Sequence, residues 1–290
     1  MLDNVGIEIS SVEKSHEEIL NKANTFIKQM EETISNPQKV DEKEELKIGV
    51  DLGTCNIVIT VLDKNNVPVA GEVYPASVVK DGIVVEYLKA VTIVRELKSR
   101  LEKTLNRTLD YAATAIPPGI SKGNVKIIQN VVEAADFNVT NVIDEPTAAS
   151  EVLNIKDGAV VDIGGGTTGI SILKNGEVVY SADEPTGGHH LSLVVAGSLG
   201  MEYEEAEKFE VNPDNYNTVF PLVRPVIEKM ADIVLKNVKG YDVETIYLVG
   251  GTCCLKDIEK VVEKYTGIRT IKPYNPLLVT PIGIAINSVR

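Results

Sequence analysis

VVDIGGGTTGISIL, residues 160–173, decides how the rest of the chain is read. An apolar run halts at Asp162, crosses Gly164-Gly165-Gly166-Thr167-Thr168, and resumes as an apolar strand. Two readings of this turn stand side by side. One is an ordinary hairpin. The other is a hairpin bent around a phosphate, because glycine allows close approach and unusual dihedrals and clustered N–H groups form an anion-binding concavity.

The segment IGVDLGTCNIVITVL (48–62) repeats the order: apolar strand, Asp, apolar residue, Gly, Thr, apolar strand. The two segments begin stretches of similar length, so the chain reads as an internal duplication. A duplicated α/β protein has a cleft between its halves, where ligands bind. Two facing turns would grip a polyphosphate from both sides, with Thr54 or Thr167 adding a hydroxyl. Asp51 and Asp162 would repel bare phosphate, and they make sense if hydrated Mg²⁺ lies between them. Glu145 opens EPTAAS directly after an apolar strand. It reads either as an acid favoured by a helix N-terminus or as the carboxylate that orients water towards a terminal phosphate. Gly187-Gly188 and Gly250-Gly251 each follow a strand pattern and precede a helical one, as helix-start turns or as N–H donors to a nucleotide.

The remainder sets bounds. The net charge of −13 over 290 residues argues against nucleic acid, whose binding draws on basic patches. It argues weakly against anionic membranes, and no apolar run approaches the roughly 20 residues that span a bilayer. MLDNVGIEISSVEK carries no secretion signal. Cys55, Cys253 and Cys254 make neither a C-x-x-C pair nor a disulfide framework and read as thiols in a reducing cytosol. Residues 1–45 stand apart. Ser15-x-x-Glu18 looks like a capping box, Ile19, Ala23, Phe26, Ile27, Met30 and Ile34 recur at helical spacing, and DEKEE (41–45) reads as a linker. That helix either packs on its own domain or docks into a partner's groove. From Leu46 the chain reads as α/β, with halves at 46–150 and 151–290.

At five places the residues resemble the actin-like ATPase superfamily: DLGTCN (51–56), EPTAA (145–149), DIGGGTT (162–168), GG (187–188) and VGGT (249–252), in the family's order. The resemblance covers residues 46–290 and is closest to DnaK-type heat-shock chaperones and MreB. Within the superfamily it is most similar to the chaperone-like members tied to ethanolamine utilization and bacterial microcompartments. The resemblance implies two related α/β halves with mixed sheets around a nucleotide cleft and reduced outer subdomains. It implies ATP and Mg²⁺ as cofactors, with Asp51 and Asp162 holding the metal through water and Glu145 positioning the hydrolytic water. Gly53, Thr54, Cys55 and Asn56 would form the first phosphate loop, and Gly164, Gly165, Gly166, Thr167 and Thr168 the second. Gly187 and Gly188 would touch phosphates, Gly250 and Gly251 the adenosine, and Gly283 would mark a hinge. The implied partner is a shell protein or lumen enzyme of an ethanolamine microcompartment, and the implied location cytoplasmic.

The chain departs from the chaperones at three points. Gly169 stands where they carry an acid, His189-His190 where they carry an acidic pair, and Cys253-Cys254 where an arginine stacks on adenine. Slow hydrolysis or none is therefore expected. A non-hydrolysing scaffold and a filament-forming relative remain as alternatives.

Overall fold

The computed structural model describes the backbone of residues 2–41, 43–80 and 82–289, and within these the side chains from residue 17 onward. A long helix, α1 (Leu2–Ser35), comes first. It starts well before Ser15, so the capping-box reading of Ser15-x-x-Glu18 is wrong for the backbone, and the Ser15 side chain lies outside the described residues. The reason is local. Residues 2–14 contain no proline, and Val5, Ile9 and Val12 continue the helical spacing backwards.

The first half builds a meander, β1 (Leu46–Leu52), β2 (Asn56–Asp63) and β3 (Pro68–Pro75). A small hairpin of β4 (Val79–Lys80) and β5 (Ile83–Val84) follows, then α2 (Tyr87–Leu105), β6 (Tyr111–Ile116), α3 (Lys122–Ala134) and β7 (Asn138–Asp144). Sequence patterning overlooked β3. Pro68 and Gly71 depress its strand signal, and it survives because a proline is tolerated at the start of an edge strand. Helix α4 (Glu145–Leu153) leads into the second half, where β8 (Gly158–Ile163), β9 (Thr168–Lys174) and β10 (Glu177–Glu184) form another meander. Then come α5 (Gly188–Leu199), α6 (Tyr203–Val211), α7 (Tyr216–Val238), β11 (Thr245–Val249), α8 (Ile258–Thr266), β12 (Arg269–Ile271) and α9 (Pro276–Ile286).

The duplication is visible in the sheets. Their strand orders are β3-β2-β1-β6-β7 and β10-β9-β8-β11-β12. Each is an antiparallel meander whose first strand runs parallel to the next two added. The registers match as well. Leu52 pairs with Ile57 and Ile163 with Thr168, so both turns hold four residues, 53–56 and 164–167.

One apolar core packs α2 and α3 on the first sheet, and another packs α5, α7 and α8 on the second. A third joins the two sheets. It gathers Val58 and Leu62 of β2, Val160 of β8, Val249 of β11, and the apolar faces of α1, α4 and α9. Within α1, Ile27 and Met30 are fully buried, each contributing about 1.5–3 kcal/mol relative to exposure. Gly71 makes room for Met30, since a Cβ there would lie 2.7 Å from the Met30 methyl. Asn24 accepts from the Tyr274 amide at 2.8 Å, and Glu31 accepts from the Asn275 side chain at 2.7 Å. The apolar face formed by Ala23, Ile27 and Met30 is thus buried against the chain itself. No described helix is long and apolar enough to cross a membrane.

Candidate functional site

A cavity of about 1330 Å³ opens between the two sheets. Its floor is set by sheet register. Asp51 and Asp162 occupy the same penultimate position of β1 and β8, opposite Val58 and Gly169 respectively, so both carboxylates reach the cleft. Glu145 joins them from the first turn of α4. Asp144 caps that helix, accepting from the Thr147 amide at 3.1 Å and from its hydroxyl at 2.8 Å, which fixes where Glu145 points.

The three carboxylates are electrostatically frustrated. Burial first, then Asp162, pushes Asp51 from an ordinary 3.8 to about 7. Burial pushes Asp162 to about 6, although a 3.2 Å hydrogen bond donated by the Thr280 hydroxyl works against the rise. Glu145 is raised well above its ordinary value by burial, with Asp162, Asp51, Asp183 and Asp144 adding to it. Packing three acids this way is costly without a cation. The donor set, all hard oxygen, fits Mg²⁺ held through its own waters.

Of the glycines and polar residues expected at the site, Gly53, Thr54, Cys55, Asn56, Gly164, Gly165, Thr167, Gly188, Gly250 and Gly251 line the cavity. Gly166, Thr168 and Gly187 do not; they brace the second turn from behind. The Thr168 hydroxyl donates to the Thr186 carbonyl at 2.5 Å. A Cβ on Gly187 would fall 2.6 Å from the Gly166 carbonyl carbon. Gly188 donates its amide to the Gly164 carbonyl at 2.9 Å, and His189 donates to Gly165 at 2.8 Å, so the start of α5 is tied to the turn. Gly250 needs to be glycine twice over. Its φ is +92°, and a Cβ would sit 2.2 Å from an Asp162 oxygen.

Several cavity residues gain their role only from the fold. Thr252 donates its hydroxyl to the Gly164 carbonyl at 2.8 Å, and Thr280 holds Asp162. Glu207, Lys208 and Glu210 of α6, Tyr216 of α7 and Lys256 also line the cavity. The Lys256 ammonium lies 4.9 Å from the centre of the Tyr216 ring. Asp183, in β10, stands directly opposite Gly169. An acid therefore lies one strand away from the place where the chaperone pattern would put one, and it raises both Asp162 and Glu145.

Comparison with known proteins agrees with this geometry. The chain is 42% identical over 254 residues to the ethanolamine utilization protein EutJ of Escherichia coli K12, covering 87% of this chain and 90% of that one. It belongs to the EutJ family. A solved EutJ from Carboxydothermus hydrogenoformans is 45% identical, with a TM-score of 0.85 over 93% of this chain and 98% of the other. A family model described as type IV pilus assembly protein PilM matches residues 123–280. MreB5 of Spiroplasma citri, solved bound to ADP, superposes with a TM-score of 0.66 at 17% identity, covering 84% of this chain and 95% of that one. The chain therefore has the actin-like ATPase fold, and MreB5, which shares that fold, was solved with ADP bound.

Proposed function

We propose that this EutJ-family chain is a Mg-ATP-operated, chaperone-like switch of ethanolamine utilization, acting in the cytoplasm on a microcompartment shell protein or lumen enzyme. The observation that carries the reading is the pair of matched four-residue turns, each led by an aspartate, facing one cavity that also holds Glu145. When bound, Mg-ATP supplies the anhydride to be cleaved and the positive charge that the acids lack. The turns at 53–56 and 164–167 then orient the phosphates from opposite halves. Asp51 and Asp162 would hold the metal through its waters. Glu145, once ionised, would accept a hydrogen bond from a water aimed at the terminal phosphorus.

Closure of the halves is the output. Thr60 of β2 donates its hydroxyl to the Pro281 carbonyl of α9 at 2.7 Å, while Thr280 beside it holds Asp162 of the other half. The halves at 46–150 and 151–290 would then close about two hinges, near residues 145–150 in α4 and 280–285 in α9.

Phosphate release tests the chemical step. Wild-type protein should release phosphate slowly from Mg-ATP, and Glu145→Gln should cut the rate at least about tenfold while still binding nucleotide. Nucleotide binding with no release in the wild type would favour the second reading, a non-hydrolysing scaffold, to which Gly169 already points. ATP-dependent pelleting would favour a filament.

A further inference from the structure

Besides the three carboxylates, the cavity holds a second cluster of a different chemical character. One thiol, one imidazole and one carboxylate, from Cys55, His189 and Glu207, bring their ligand atoms within 4.8 Å of one another. Cys55 belongs to the first turn, whereas His189 and Glu207 belong to α5 and α6 of the other half. The cluster therefore spans the cleft.

Each member is held in place. The Cys55 sulfur rests against Gly165, where a Cβ would come within 2.0 Å of it, so the thiol occupies a seat that only glycine leaves open. The Nδ1 of His189 is 2.6 Å from the Tyr203 hydroxyl. That contact leaves Nε2 for a ligand, and a hydrogen bond on the far nitrogen is how ligating histidines are usually oriented. The next acid on α6, Glu210, is drawn aside by the Ser192 hydroxyl at 2.6 Å, while Glu207 remains with the thiol and the ring. Burial, Glu207 and Glu210 together push the Cys55 thiol up to about 11, so without a cation it stays protonated beside these acids.

We propose that Cys55, His189 and Glu207 form a binding site for a borderline-soft divalent metal, zinc being the natural occupant, that joins the two halves across the cleft. Sulfur, imidazole and carboxylate suit zinc and exclude magnesium, which takes oxygen ligands. On binding, the Cys55 thiol gives its proton to solvent and the thiolate sulfur bonds the metal. Three protein ligands leave the fourth position of a tetrahedron for water or for a ligand in the cleft. Tetrahedral zinc, with ligands at about 2.0–2.3 Å, places them about 3.3–3.8 Å apart. Ligand atoms within 4.8 Å of one another are in reach of that geometry, and because they come from both halves, a bound metal would bridge the cleft. The site shares Cys55 with the first turn but needs no nucleotide.

The test uses the full chain, reduced and freed of metal, titrated with Co²⁺ and with Zn²⁺. One equivalent of cobalt should give the intense thiolate-to-cobalt charge-transfer absorption, and zinc should bleach it. Cys55→Ser, His189→Gln and Glu207→Gln should each weaken zinc binding by at least about tenfold, with circular dichroism confirming that they fold. Cys55→Ser should also abolish the thiolate band. A band that survives Cys55→Ser would place the metal on the exposed Cys254 and overturn the assignment. Binding without a thiolate band would place it on the carboxylates, and no binding at all would equally defeat the proposal.

Discussion

Gly283→Ala will lower the unfolding midpoint by about 10 °C, although helix propensity predicts the opposite. Gly283 lies inside α9, where alanine is favoured over glycine by about 1 kcal/mol. The helix crossing decides the sign. A Cβ at 283 would sit 2.0 Å from the Ala148 carbonyl oxygen and 2.4 Å from its carbon, both backbone atoms of α4. Neither helix has slack, because Ala148 and Ile284 are fully buried and α9 also rests on the first sheet, where a Cβ on Gly49 would fall 2.6 Å from the Pro281 carbonyl oxygen and the Ala285 amide nitrogen. Overpacking of this kind costs about 3 kcal/mol or more, and each kcal/mol moves the midpoint of a chain this size by about 2–4 °C. Gly197→Ala is the matched control. It also lies within a helix, and its added methyl meets nothing within 4 Å, so the midpoint should hold or rise slightly. Equal behaviour of the two variants would mean that α4 and α9 do not cross as closely as described.

Asp51→Asn should stabilise the metal-free protein at about pH 8 while weakening Mg-nucleotide binding by about 100-fold, or about 2.7 kcal/mol. The sign follows from the raised carboxylates. Asp51 titrates near 7 in the folded chain against 3.8 unfolded, and Asp162 near 6. The folded state therefore holds those protons more tightly. Their contribution to stability is complete below about pH 4 and is lost as the pH climbs through about 6 to 7. Above that range the folded chain carries neighbouring buried charges, and the amide removes one of them. With about 1.4 kcal/mol per pKa unit, discounted because Asp51 keeps some contact with the cleft solvent, the gain is on the order of 2 kcal/mol. At about pH 5 it should nearly vanish, since Asp51 is then protonated anyway. Thermal melts at both pH values, with and without Mg²⁺, check this. An Asn variant that is less stable than wild type at about pH 8 would show that the three acids are not in conflict.

The hairpins and their aspartates were legible in the sequence because they are local. A strand, an acid, a glycine turn and a second strand occupy fourteen consecutive residues, and the motif occurs twice. The two-halved fold followed from that repeat, and the two five-stranded sheets share one order, although β3 escaped the sequence pattern. The resemblance carried by five ordered motifs led to the family that comparison then identified. What the sequence did not disclose is long-range. Thr252 ends the VGGT motif, but the motif does not show that it braces a residue 88 positions away, and no local pattern marks Thr280, which braces one 118 positions away. Asp183 faces the cleft acids only because β10 pairs with β9 in one particular register. Adjacent histidines hid the partnership of His189, whose neighbours are Cys55 and Glu207 rather than His190. The start of α1 was missed for the opposite reason, since a capping pattern can occur by chance in the middle of a helix.

The central claim is that the two turns cradle a Mg-nucleotide. The most direct measurement is thermal unfolding of the purified chain with Mg-ATP, Mg-ADP or neither, beside Asp162→Ala. At 100 times its dissociation constant a ligand adds about 2.7 kcal/mol, so the wild-type midpoint should rise by several degrees and the variant should lose most of that rise. A folded wild-type chain whose midpoint ignores both nucleotides would contradict the account, and VVDIGGGTTGISIL would then be a hairpin and nothing more.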